Sequence, residues 1–598
     1  MDELKYPFDS QFLLKKQKRI KRELCQNGKS NIKVKIAILS GATIGETQNI
    51  LELFLLNYGI EPSFWQGDYN RYYEDAVFKN QSLVEFAPDL IYIHVTNKNV
   101  IEIIDYKIKQ ENYILPDAQS VFMHFKKLLD ALHNNYCCPI IINNFEQLPY
   151  RVMGNADVWH PLGEMNLINE VNHQLYEYVR NTDGIYINDL NYEAAYYGLE
   201  RWFDNSLWYM YKYPYSIDAI PMVCFNIANI IKAIFGKNKK VIVTDLDNTL
   251  WGGVIGDDGK DNIEIGLQTP KGMAYQDFQK YLKKLSKRGI TLTISSKNDE
   301  NIAKSGLLHT SGILTADDFI SIKANWDPKS ENIKKIISEL NVMPDSVVFL
   351  DDNPVERDQV KSNLQSVSIP YLNKVEEYRK VLDQSGFFEI ISITEDDLHR
   401  NEYYKQNTIR IHEEQNFNDY GEYLDSLEMT AVFDNINSDN IARVAQLLNK
   451  TNQFNLTTKR YTEEELQLFL EKPEHLGVCA KLIDKFGDNG IVTVLLGKKE
   501  NKNLYISNWL MSCRVFKRDL EYALFDIIVE YCINNEIKTI IGEYIPSEKN
   551  KIVSEFYGSI GFSKLEKRDD VEIWRYKIPY SYIKLNNHIK NDERGNFK

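Results

Sequence analysis

The stretch that decides the fold reads VIVTDLDNTL, from Val241 to Leu250. Its first four residues are apolar or β-branched, which predicts a short buried strand. Two acidic residues, Asp245 and Asp247, follow at once. Because successive side chains of an extended chain alternate, both carboxylates should point to the same side. The stretch therefore places two carboxylates together at the carboxyl end of a buried strand.

Three further polar groups follow predicted elements downstream. Ser296-Lys297-Asn298 ends the apolar run ITLTIS, Lys329 opens a helix after Asp327-Pro328, and Asp351-Asp352-Asn353 follows VVFL. Apolar strands that alternate with helices are typical of a parallel α/β sheet. Because such sheets bind ligands beyond the carboxyl ends of their strands, we expect all four groups to meet at one point.

These residue types suit phosphoryl transfer. A carboxylate can attack phosphorus and hold the group as an aspartyl phosphate. Further carboxylates can hold Mg²⁺, which prefers oxygen ligands and neutralises phosphate charge. Lysine and hydroxyl groups then stabilise the transferring group.

A purely structural role is the alternative for each group taken alone. A lone DxD is often a turn or a helix cap, and Ser296 or Lys329 alone would more often be a cap or a solvated side chain. The order of all four groups and their place at strand ends favour the catalytic interpretation.

The layout DxDxT, Ser, Lys, DD resembles the four motifs of the haloacid dehalogenase (HAD) superfamily over residues 241–372. The resemblance implies a Rossmann-like parallel sheet and these roles: Asp245 as nucleophile and Mg²⁺ ligand, Asp247 as general acid/base that also gives its main-chain carbonyl to the metal, Ser296 as ligand of the phosphoryl oxygens, Lys329 as bridge between nucleophile and phosphate, and Asp351 with Asp352 as the rest of the metal site. The neighbouring residues expected to contact substrate are Thr249, Lys297, Asn298 and Asn353.

Longer motifs narrow the resemblance to the FkbH-like subfamily. They are DLDNTLWGGVIGDDG, SSKND, NWDPKSENI, FLDDNPVER and, outside the catalytic part, NKTNQFNLTTKRYTEEEL from Asn449 to Leu466. The resemblance implies loading of a glyceryl unit from 1,3-bisphosphoglycerate onto an acyl carrier protein, with loss of phosphate, for polyketide or related pathways.

One position departs from that subfamily. Ser295 stands where the family pattern has a cysteine before SKN. A hydroxyl is a weaker nucleophile than a thiolate unless a base activates it. Three alternatives stay open: another group holds the acyl unit, the unit passes straight to the carrier thiol, or the acceptor differs.

The segment between the first two motifs is too short for a large lid domain. About 50 residues separate Asp247 from Ser296, and a helix and a strand use most of them. The remaining glycine-rich stretch could form a flap. We therefore expect a site open to a macromolecule or a tethered arm.

The first part of the chain is predicted to be a separate doubly wound α/β domain. Apolar runs at 34–40, 90–95, 139–143 and 185–188 alternate with amphipathic stretches such as 117–133. This strand pattern resembles SGNH-type hydrolases, with Ser40 at the nucleophile position and Asn97 after a later strand. Asp189 lacks the histidine of a DxxH motif, so we predict a non-catalytic scaffold or docking domain.

The last part, Leu427 to Tyr576, resembles the α+β fold of GNAT acyltransferases. A strand, a polar turn and a helix lie within Tyr505 to Cys532, and a helix amino end offers N–H groups to phosphate. Lys517 and Asp519 replace the usual glycines, which disfavours acetyl-CoA. We expect the domain to hold the phosphopantetheine arm of a carrier protein through Arg514, Lys517 and Arg518, with Cys513 either beside it or structural.

The length, net charge and cysteine count of the chain limit the remaining classes of function. A chain of 598 residues predicts several domains, drawn here at 1–232, 233–395 and 396–580 with a frayed polar tail at 581–598. A net charge of −14 speaks against nucleic-acid binding, and seven scattered cysteines fit neither disulfides nor zinc. With no signal-like start and no apolar run near the ~20 residues of a membrane span, a cytoplasmic protein is expected. Two hypotheses compete with glyceryl transfer: a simple small-metabolite phosphatase and a non-catalytic carrier-binding scaffold.

Overall fold

The computed structural model describes residues 1–26, 32–110, 117–451, 453–547, 549–568, 571–592 and 595–597. The chain divides into two compact units, Met1–Ile234 and Phe235–Lys598. The second unit contains two sheets, called here the central sheet and the C-terminal sheet. The predicted boundary near residue 395 falls inside this unit and stays a prediction.

The first unit is built on a five-stranded parallel sheet with the order β2-β1-β3-β4-β5. Its strands are β1 (Ile32–Ser40), β2 (Ile60–Gln66), β3 (Leu90–His94), β4 (Ile140–Asn143) and β5 (Ile185–Asn188). Its α-helices are α1 (Ser10–Gln26), α2 (Gly45–Asn57), α3 (Tyr72–Val77), α4 (Gln81–Phe86), α5 (Asn97–Gln110), α6 (Ala118–Asn135), α7 (Glu164–Arg180), α8 (Leu190–Tyr197), α9 (Leu199–Trp202), α10 (Asn205–Tyr211) and α11 (Ile220–Ile234).

The predicted α/β class of this unit is confirmed, and its four predicted strands are present. The added strand, β2, carries Pro62, which the sequence pattern does not mark as a strand residue. Proline is tolerated there because β2 is an edge strand that pairs with β1 alone. Helix α6 begins as predicted, with Asp117 accepting a hydrogen bond from the backbone N–H of Ser120.

One described helix meets the length and composition expected of a membrane span. It covers Ile217–Ile234 with a mean hydropathy of 1.5, and 72% of that window is buried inside the protein. Asp218, Asn226, Asn229 and Lys232 interrupt this window, so it is not an uninterrupted apolar run. The core helix of a globular protein has the same composition, because it is apolar on all sides.

The central sheet is parallel, with the strand order β8-β7-β6-β9. Its strands are β6 (Val241–Thr244), β7 (Thr291–Ser296), β8 (Phe319–Ala324) and β9 (Val347–Leu350). The helices of this part are α12 (Ile255–Asp258), α13 (Pro270–Lys287), α14 (Glu300–Gly306), α15 (Lys329–Glu339), α16 (Pro354–Asn363), α17 (Val375–Gln384), α18 (Glu395–Leu398) and α19 (Arg400–Glu414). The predicted Rossmann-like sheet is confirmed, with β6 between β7 and β9.

The C-terminal sheet has nine strands, mainly antiparallel, in the order β16-β17-β15-β14-β13-β12-β10-β18 with β11 beside β14. The strands are β10 (Thr430–Asn435), β11 (Phe454–Asn455), β12 (His475–Asp484), β13 (Gly487–Glu500), β14 (Asn503–Met511), β15 (Thr539–Tyr544), β16 (Ser563–Arg568), β17 (Val571–Lys577) and β18 (Lys590–Asn591). The helices are α20 (Tyr420–Ser426), α21 (Ile441–Lys450), α22 (Glu463–Leu470), α23 (Leu520–Asn534) and α24 (Phe556–Ser559). This is the α+β class predicted for this part.

The predicted frayed tail after Ser581 is wrong. Strand β18 pairs with β10, and Ile589 is 6% exposed within the core of the C-terminal sheet. Asp526 on α23 accepts hydrogen bonds from Tyr582 Oη at 2.5 Å and from the backbone N–H of Leu585 at 2.9 Å. The polar composition hid these contacts, because a few buried groups are enough to dock a polar segment.

Candidate active site

The candidate site lies at the carboxyl edge of the central sheet, where β6 lies between its two neighbours. Asp245 follows β6 directly, and its backbone N–H donates to the carbonyl of Leu350 at the end of β9 at 2.9 Å. The loops after β6 and β9 are therefore tied together at their origin. Predicted residues far apart in sequence meet at this edge, as expected for parallel strands.

One buried lysine connects two of the predicted carboxylates. Lys329 Nζ lies 2.7 Å from Asp245 Oδ2 and 2.6 Å from Asp351 Oδ2. The side chains of Lys329 and Asp351 are 3% and 0% exposed. Burial would lower the pKa of Lys329, but the two carboxylates outweigh it and raise that pKa. Lys329 is therefore a fixed positive charge beside the candidate nucleophile.

Three carboxylates form a cluster that fits a hard cation. Oxygen atoms of Asp245, Asp351 and Asp352 all lie within 4.8 Å of one another. Asp245 Oδ1 is buried and has no hydrogen-bond partner among the described residues. Burial and the charge of Asp245 raise the pKa of Asp351, since one lysine does not balance the cluster. A divalent ion with oxygen preference would supply the missing charge and partner.

Asp247 occupies a separate environment suited to proton transfer. Its Oδ1 accepts from Trp251 Nε1 at 2.9 Å and from the backbone N–H of Ile255 at 3.1 Å. Its Oδ2 accepts from Asn298 Nδ2 at 3.3 Å. Burial raises the pKa of Asp247, which favours its protonated form. The role of its carbonyl as a metal ligand stays a prediction.

The turn between Asp247 and Thr249 is held by groups that sequence reasoning missed. Asn248 has a φ of 55°, a left-handed conformation that asparagine tolerates. Its carbonyl accepts hydrogen bonds from Tyr378 Oη at 3.1 Å and Tyr275 Oη at 3.4 Å. Thr249 Oγ1 then lies 3.4 Å from Asp352 Oδ1. Nothing in the local pattern indicates tyrosines that come from distant helices.

Arg357 fixes the loop that carries the paired aspartates and was also missed. Its Nη1 donates to the carbonyls of Asp351 at 2.7 Å, Asp352 at 2.6 Å and Leu372 at 3.1 Å. The arginine is 8% exposed. Its place in the motif DDNPVER, on the helix after the aspartates, is the one sequence signal that could have found it.

The other predicted residues of this site differ in what they contact. Ser296 ends β7 and is 2% exposed, and the neighbouring Ser295 is 0% exposed with no partner for its hydroxyl among the described residues. Lys297 Nζ pairs with Glu356 at 2.6 Å. The side chain of Asn353 caps α16 by accepting from Val355 N–H. Lys297 therefore pairs with a residue of α16, and Asn353 caps the same helix. Contact of either residue with substrate stays a prediction.

One of the residues predicted to hold phosphopantetheine does not fit that role. The side chain of Arg518 is 6% exposed, and its Nη1 lies 3.2 Å from Asp484 Oδ2. Arg518 therefore stabilises the inside of the C-terminal sheet rather than a ligand. Lys517 is exposed with a φ of 63°, and Arg514 lies over the ring of Tyr403 at 4.4 Å. Those two stay candidates.

Ser40 in the first unit has a histidine beside it that sequence reasoning missed. His94 comes from the adjacent end of β3, with Nδ1 3.2 Å from Ser40 Oγ and Nε2 3.0 Å from Tyr215 Oη. Burial lowers the pKa of His94 to about 4, so the ring is neutral. Ser40 is 5% exposed, and its hydroxyl also bonds to the carbonyl of Ala42 at 2.7 Å. Asp189 caps α8 instead of joining this pair, which favours a structural role for Ser40.

Comparison with known proteins finds similarity to parts of the chain. Residues 48–232 match the family model described as FkbH, N-terminal domain. The N-terminal part of the protein BF1531 from Bacteroides fragilis, which contains a phosphatase domain complexed with Mg, is 28% identical with a TM-score of 0.58. That match covers 64% of this chain and 99% of that chain. No curated protein matches the chain.

Acetyltransferase structures match the C-terminal part at low overall scores. The ribosomal-protein-S18-alanine N-acetyltransferase from Escherichia coli is 12% identical, covering 26% of this chain and 100% of that chain with a TM-score of 0.21. A PaiA N-acetyltransferase from Thermoplasma acidophilum in complex with coenzyme A is 11% identical, covering 25% and 99% with a TM-score of 0.20.

The central sheet has a HAD phosphatase-like fold. The Bacteroides protein and the meeting of Asp245, Lys329 and Asp351 at one edge of that sheet agree on this. The likeness of the first unit to SGNH hydrolases stays a prediction.

Proposed function

We propose that this protein is a Mg²⁺-dependent enzyme that takes an acyl phosphate such as 1,3-bisphosphoglycerate, removes phosphate and loads the glyceryl unit onto an acyl carrier protein in polyketide or related biosynthesis. The observation that carries the proposal is the contact of one buried ammonium, Lys329 Nζ, with both Asp245 and Asp351. It joins a nucleophilic carboxylate, a cation and a metal-binding carboxylate at one point. The matches to the FkbH N-terminal domain and to a phosphatase-containing protein with Mg support it.

The metal would be held by the carboxylates of Asp245, Asp351 and Asp352. The unpartnered Oδ1 of Asp245 is the oxygen best placed to become a ligand, and Arg357 keeps the other two carboxylates in position through their backbone. Bound Mg²⁺ would neutralise the phosphoryl oxygens that three carboxylates would otherwise repel.

The removal of phosphate uses groups that the site already contains. 1,3-Bisphosphoglycerate carries an acyl phosphate at carbon 1 and a phosphate ester at carbon 3, so a free glyceryl thioester requires both phosphates to leave. We assign the ester to Asp245, which attacks phosphorus while the P–O bond to the carbon 3 oxygen breaks. Asp247 protonates that leaving oxygen, and its raised pKa favours the acid form needed first. As a carboxylate it then takes the proton of the water that hydrolyses the aspartyl phosphate.

The acyl transfer breaks a different bond. The carrier thiol sulfur attacks carbon 1, the C–O bond to phosphate breaks, and the thiol proton leaves with inorganic phosphate. Ser295 is 0% exposed at the position of the subfamily cysteine, so its hydroxyl is poorly placed to hold the acyl unit. Direct transfer to the carrier thiol is the route that this burial favours.

The burial of Ser295 also favours a second candidate function, that of a small-metabolite phosphatase. With Mg²⁺ bound, Asp245, Asp247 and Lys329 could hydrolyse a phosphate ester, and hydrolysis needs no acyl acceptor. Such an enzyme would release phosphate and ignore carrier proteins.

A single incubation distinguishes the two functions. The full chain is mixed with Mg²⁺, 1,3-bisphosphoglycerate and a holo-carrier protein, and the carrier is weighed by mass spectrometry. The proposal predicts a glyceryl carrier without phosphate, and a carrier that keeps its phosphoglyceryl group when Asp245→Asn replaces the native chain. Phosphate release with an unmodified carrier would support the phosphatase instead. If neither phosphate nor a modified carrier formed, both functions would be contradicted.

The carrier arm is expected at the start of α23. Lys517 is exposed there, next to the amino end of a helix of 15 residues, which favours a phosphate. Lys517→Glu should weaken carrier binding several-fold, because it adds a second acid beside Asp519. Lys334→Glu, an exposed charge reversal on α15, serves as the control. Equal affinity of all three proteins for the carrier would contradict this placement.

A further inference from the structure

A second candidate site lies within the Phe235–Lys598 unit, away from the carboxyl edge of the central sheet. It is a cavity of about 130 Å³ between the amino ends of the central strands and the segment that follows β14. Lys240 comes directly before β6, whereas Asp245 comes directly after it. The length of an extended strand separates their Cα atoms by roughly 16 Å. The cavity is therefore distinct from the phosphatase site.

The described lining of this cavity is strongly basic. It includes seven lysine and arginine side chains and two aspartates, Asp345 and Asp397. Lys549 Nζ binds Asp345 at 2.5 Å, while Asp397 contacts Arg400 and lies 3.3 Å from Lys450. Both aspartates therefore already pair with cations of the lining. The seven cations exceed the two aspartates by five formal positive charges. The net charge of the whole chain is −14, so this concentration of cations is local.

Lys240 is the clearest sign that an anion belongs here. It is partly buried, and its ammonium makes no hydrogen bond or ion pair within the part of the chain that the structure describes. Burial lowers the pKa of Lys240, and the charge of Arg400 lowers it further. Burial also lowers the pKa of Lys450 to about 8. Crowding cations in a partly buried cavity is costly unless an anion compensates them.

The cavity wall is closed by a tight backbone contact. Gly236 has a φ of 67°, and a Cβ at this position would lie 2.6 Å from the carbonyl oxygen of Asn449. The segment leading to Lys240 is thereby held against the end of α21. Cys513, a partly exposed free thiol, lines the same cavity and accepts a hydrogen bond on its carbonyl from Asn341 at 2.7 Å.

We propose that this cavity binds a small phosphorylated molecule by its phosphate or diphosphate group, with Lys240 and Lys450 as the principal contacts. Several cations converging on a space of this size match a group with two or more negative charges. Arg514 lines the cavity as well, so the site borders the region suggested for the carrier arm.

The test measures inorganic pyrophosphate binding by calorimetry on the full chain, with EDTA present to exclude Mg²⁺-dependent binding elsewhere. Lys240→Met should weaken binding about tenfold or more, since it removes a charged contact. Lys334→Met, an exposed lysine on α15, should leave binding unchanged. Lys329→Met should also leave it unchanged, which separates this cavity from the phosphatase site. Tighter binding of adenosine diphosphate than of pyrophosphate would identify an organic diphosphate rather than the free anion as the occupant.

A second readout requires no variant. Pyrophosphate should slow alkylation of Cys513 by iodoacetamide, followed by peptide mass spectrometry, while the exposed Cys25 and Cys137 react at unchanged rates. Sodium chloride at equal ionic strength should not protect. Unchanged alkylation of Cys513, or equal pyrophosphate affinity of the native chain and Lys240→Met, would overturn the proposal.

Discussion

At the scale of single residues, the account rests on how charge is shared at the carboxyl edge of β6. Lys329 is placed between Asp245 and Asp351, while Asp247 has a separate set of neutral hydrogen-bond donors. The two environments suit the two proposed roles, a nucleophile at Asp245 and a proton carrier at Asp247. The fourth carboxylate, Asp352, belongs to the carboxylate cluster with Asp245 and Asp351.

Replacement of Asp245, the proposed nucleophile, should remove nearly all phosphatase activity. Asp245→Asn removes the attacking oxygen and one metal ligand, so we expect phosphate release from a generic aryl phosphate to fall by about a thousandfold or more. Asp327→Asn, an exposed aspartate paired with Lys335, should keep native activity. Activity of Asp245→Asn within tenfold of the native rate would contradict the assigned role.

Ser40 should behave as a structural residue. Because it is 5% exposed and its hydroxyl bonds to Ala42 and His94, a fluorophosphonate probe should leave it unlabelled. Ser40→Ala should leave carrier loading and phosphate release unchanged. Stoichiometric labelling of Ser40, read by peptide mass spectrometry, would show instead that the His94 pair is catalytic.

The sequence could predict the residue types at the strand ends because chemistry and alternation act locally. It could not predict the roles of Tyr378 or His94, because these depend on tertiary contacts. Tyr378 reaches the carbonyl of Asn248 across 130 residues of chain. His94 faces Ser40 only through the pairing of β1 with β3.

At the scale of elements, the sequence predicts strands that are buried along their whole length better than strands that are partly exposed. The strands β6, β7 and β9 are fully buried and were predicted. By contrast, β2 contains a proline and β8 has only its two end residues buried, so neither shows a continuous apolar run. The two-residue β18 lies in polar sequence, where the docking depends on one buried isoleucine and on hydrogen bonds to Asp526.

The docked tail should contribute to stability through α23. Asp526→Asn removes the charged acceptor of Tyr582, Leu585 and Asn586, and we expect it to lower the free energy of unfolding by about 2 kcal/mol. Glu530→Gln breaks a partly exposed pair with Lys584 and should change it by less than about 0.5 kcal/mol. Equal urea midpoints for both variants would show that the tail docks without energetic consequence.

At the scale of the whole molecule, the two candidate phosphate-binding sites lie at opposite ends of the central strands. The carboxyl edge carries the acidic cluster that a cation would complete, and the amino edge carries the basic cavity that an anion would complete. Both are places where burial leaves like charges close together. Like charges in such a site lower the free energy of unfolding, and binding of a ligand of opposite charge raises it again.

The basic cavity predicts a pH dependence of stability. The pKa of Lys450 is about 8 in the folded chain and 10.5 ordinarily, so charged Lys450 opposes folding below pH 8. The opposition disappears as the pH rises from 8 to 10.5, because the unfolded chain then binds more protons. Since Lys450 is 29% exposed, we expect a gain of only about 1 to 2 kcal/mol in the free energy of unfolding.

The measurement is urea unfolding at pH 7.5 and pH 10 without phosphate. The native chain should gain stability relative to Lys450→Met, whereas Lys334→Met should follow the native chain. A parallel pH dependence of the native chain and Lys450→Met would contradict the charge argument, in which Asp397, Arg400 and Lys240 are the groups that face Lys450.

The most direct test of the central claim is to trap the phosphorylated nucleophile. Asp247→Asn, which lacks the base for hydrolysis, is mixed with Mg²⁺ and an aryl phosphate, quenched in acid and reduced with borohydride, which converts an aspartyl phosphate to homoserine. The account predicts homoserine at position 245 by peptide mass spectrometry, and none when Mg²⁺ or substrate is omitted. Phosphate release by the native enzyme without any modification of Asp245 in this experiment would contradict it.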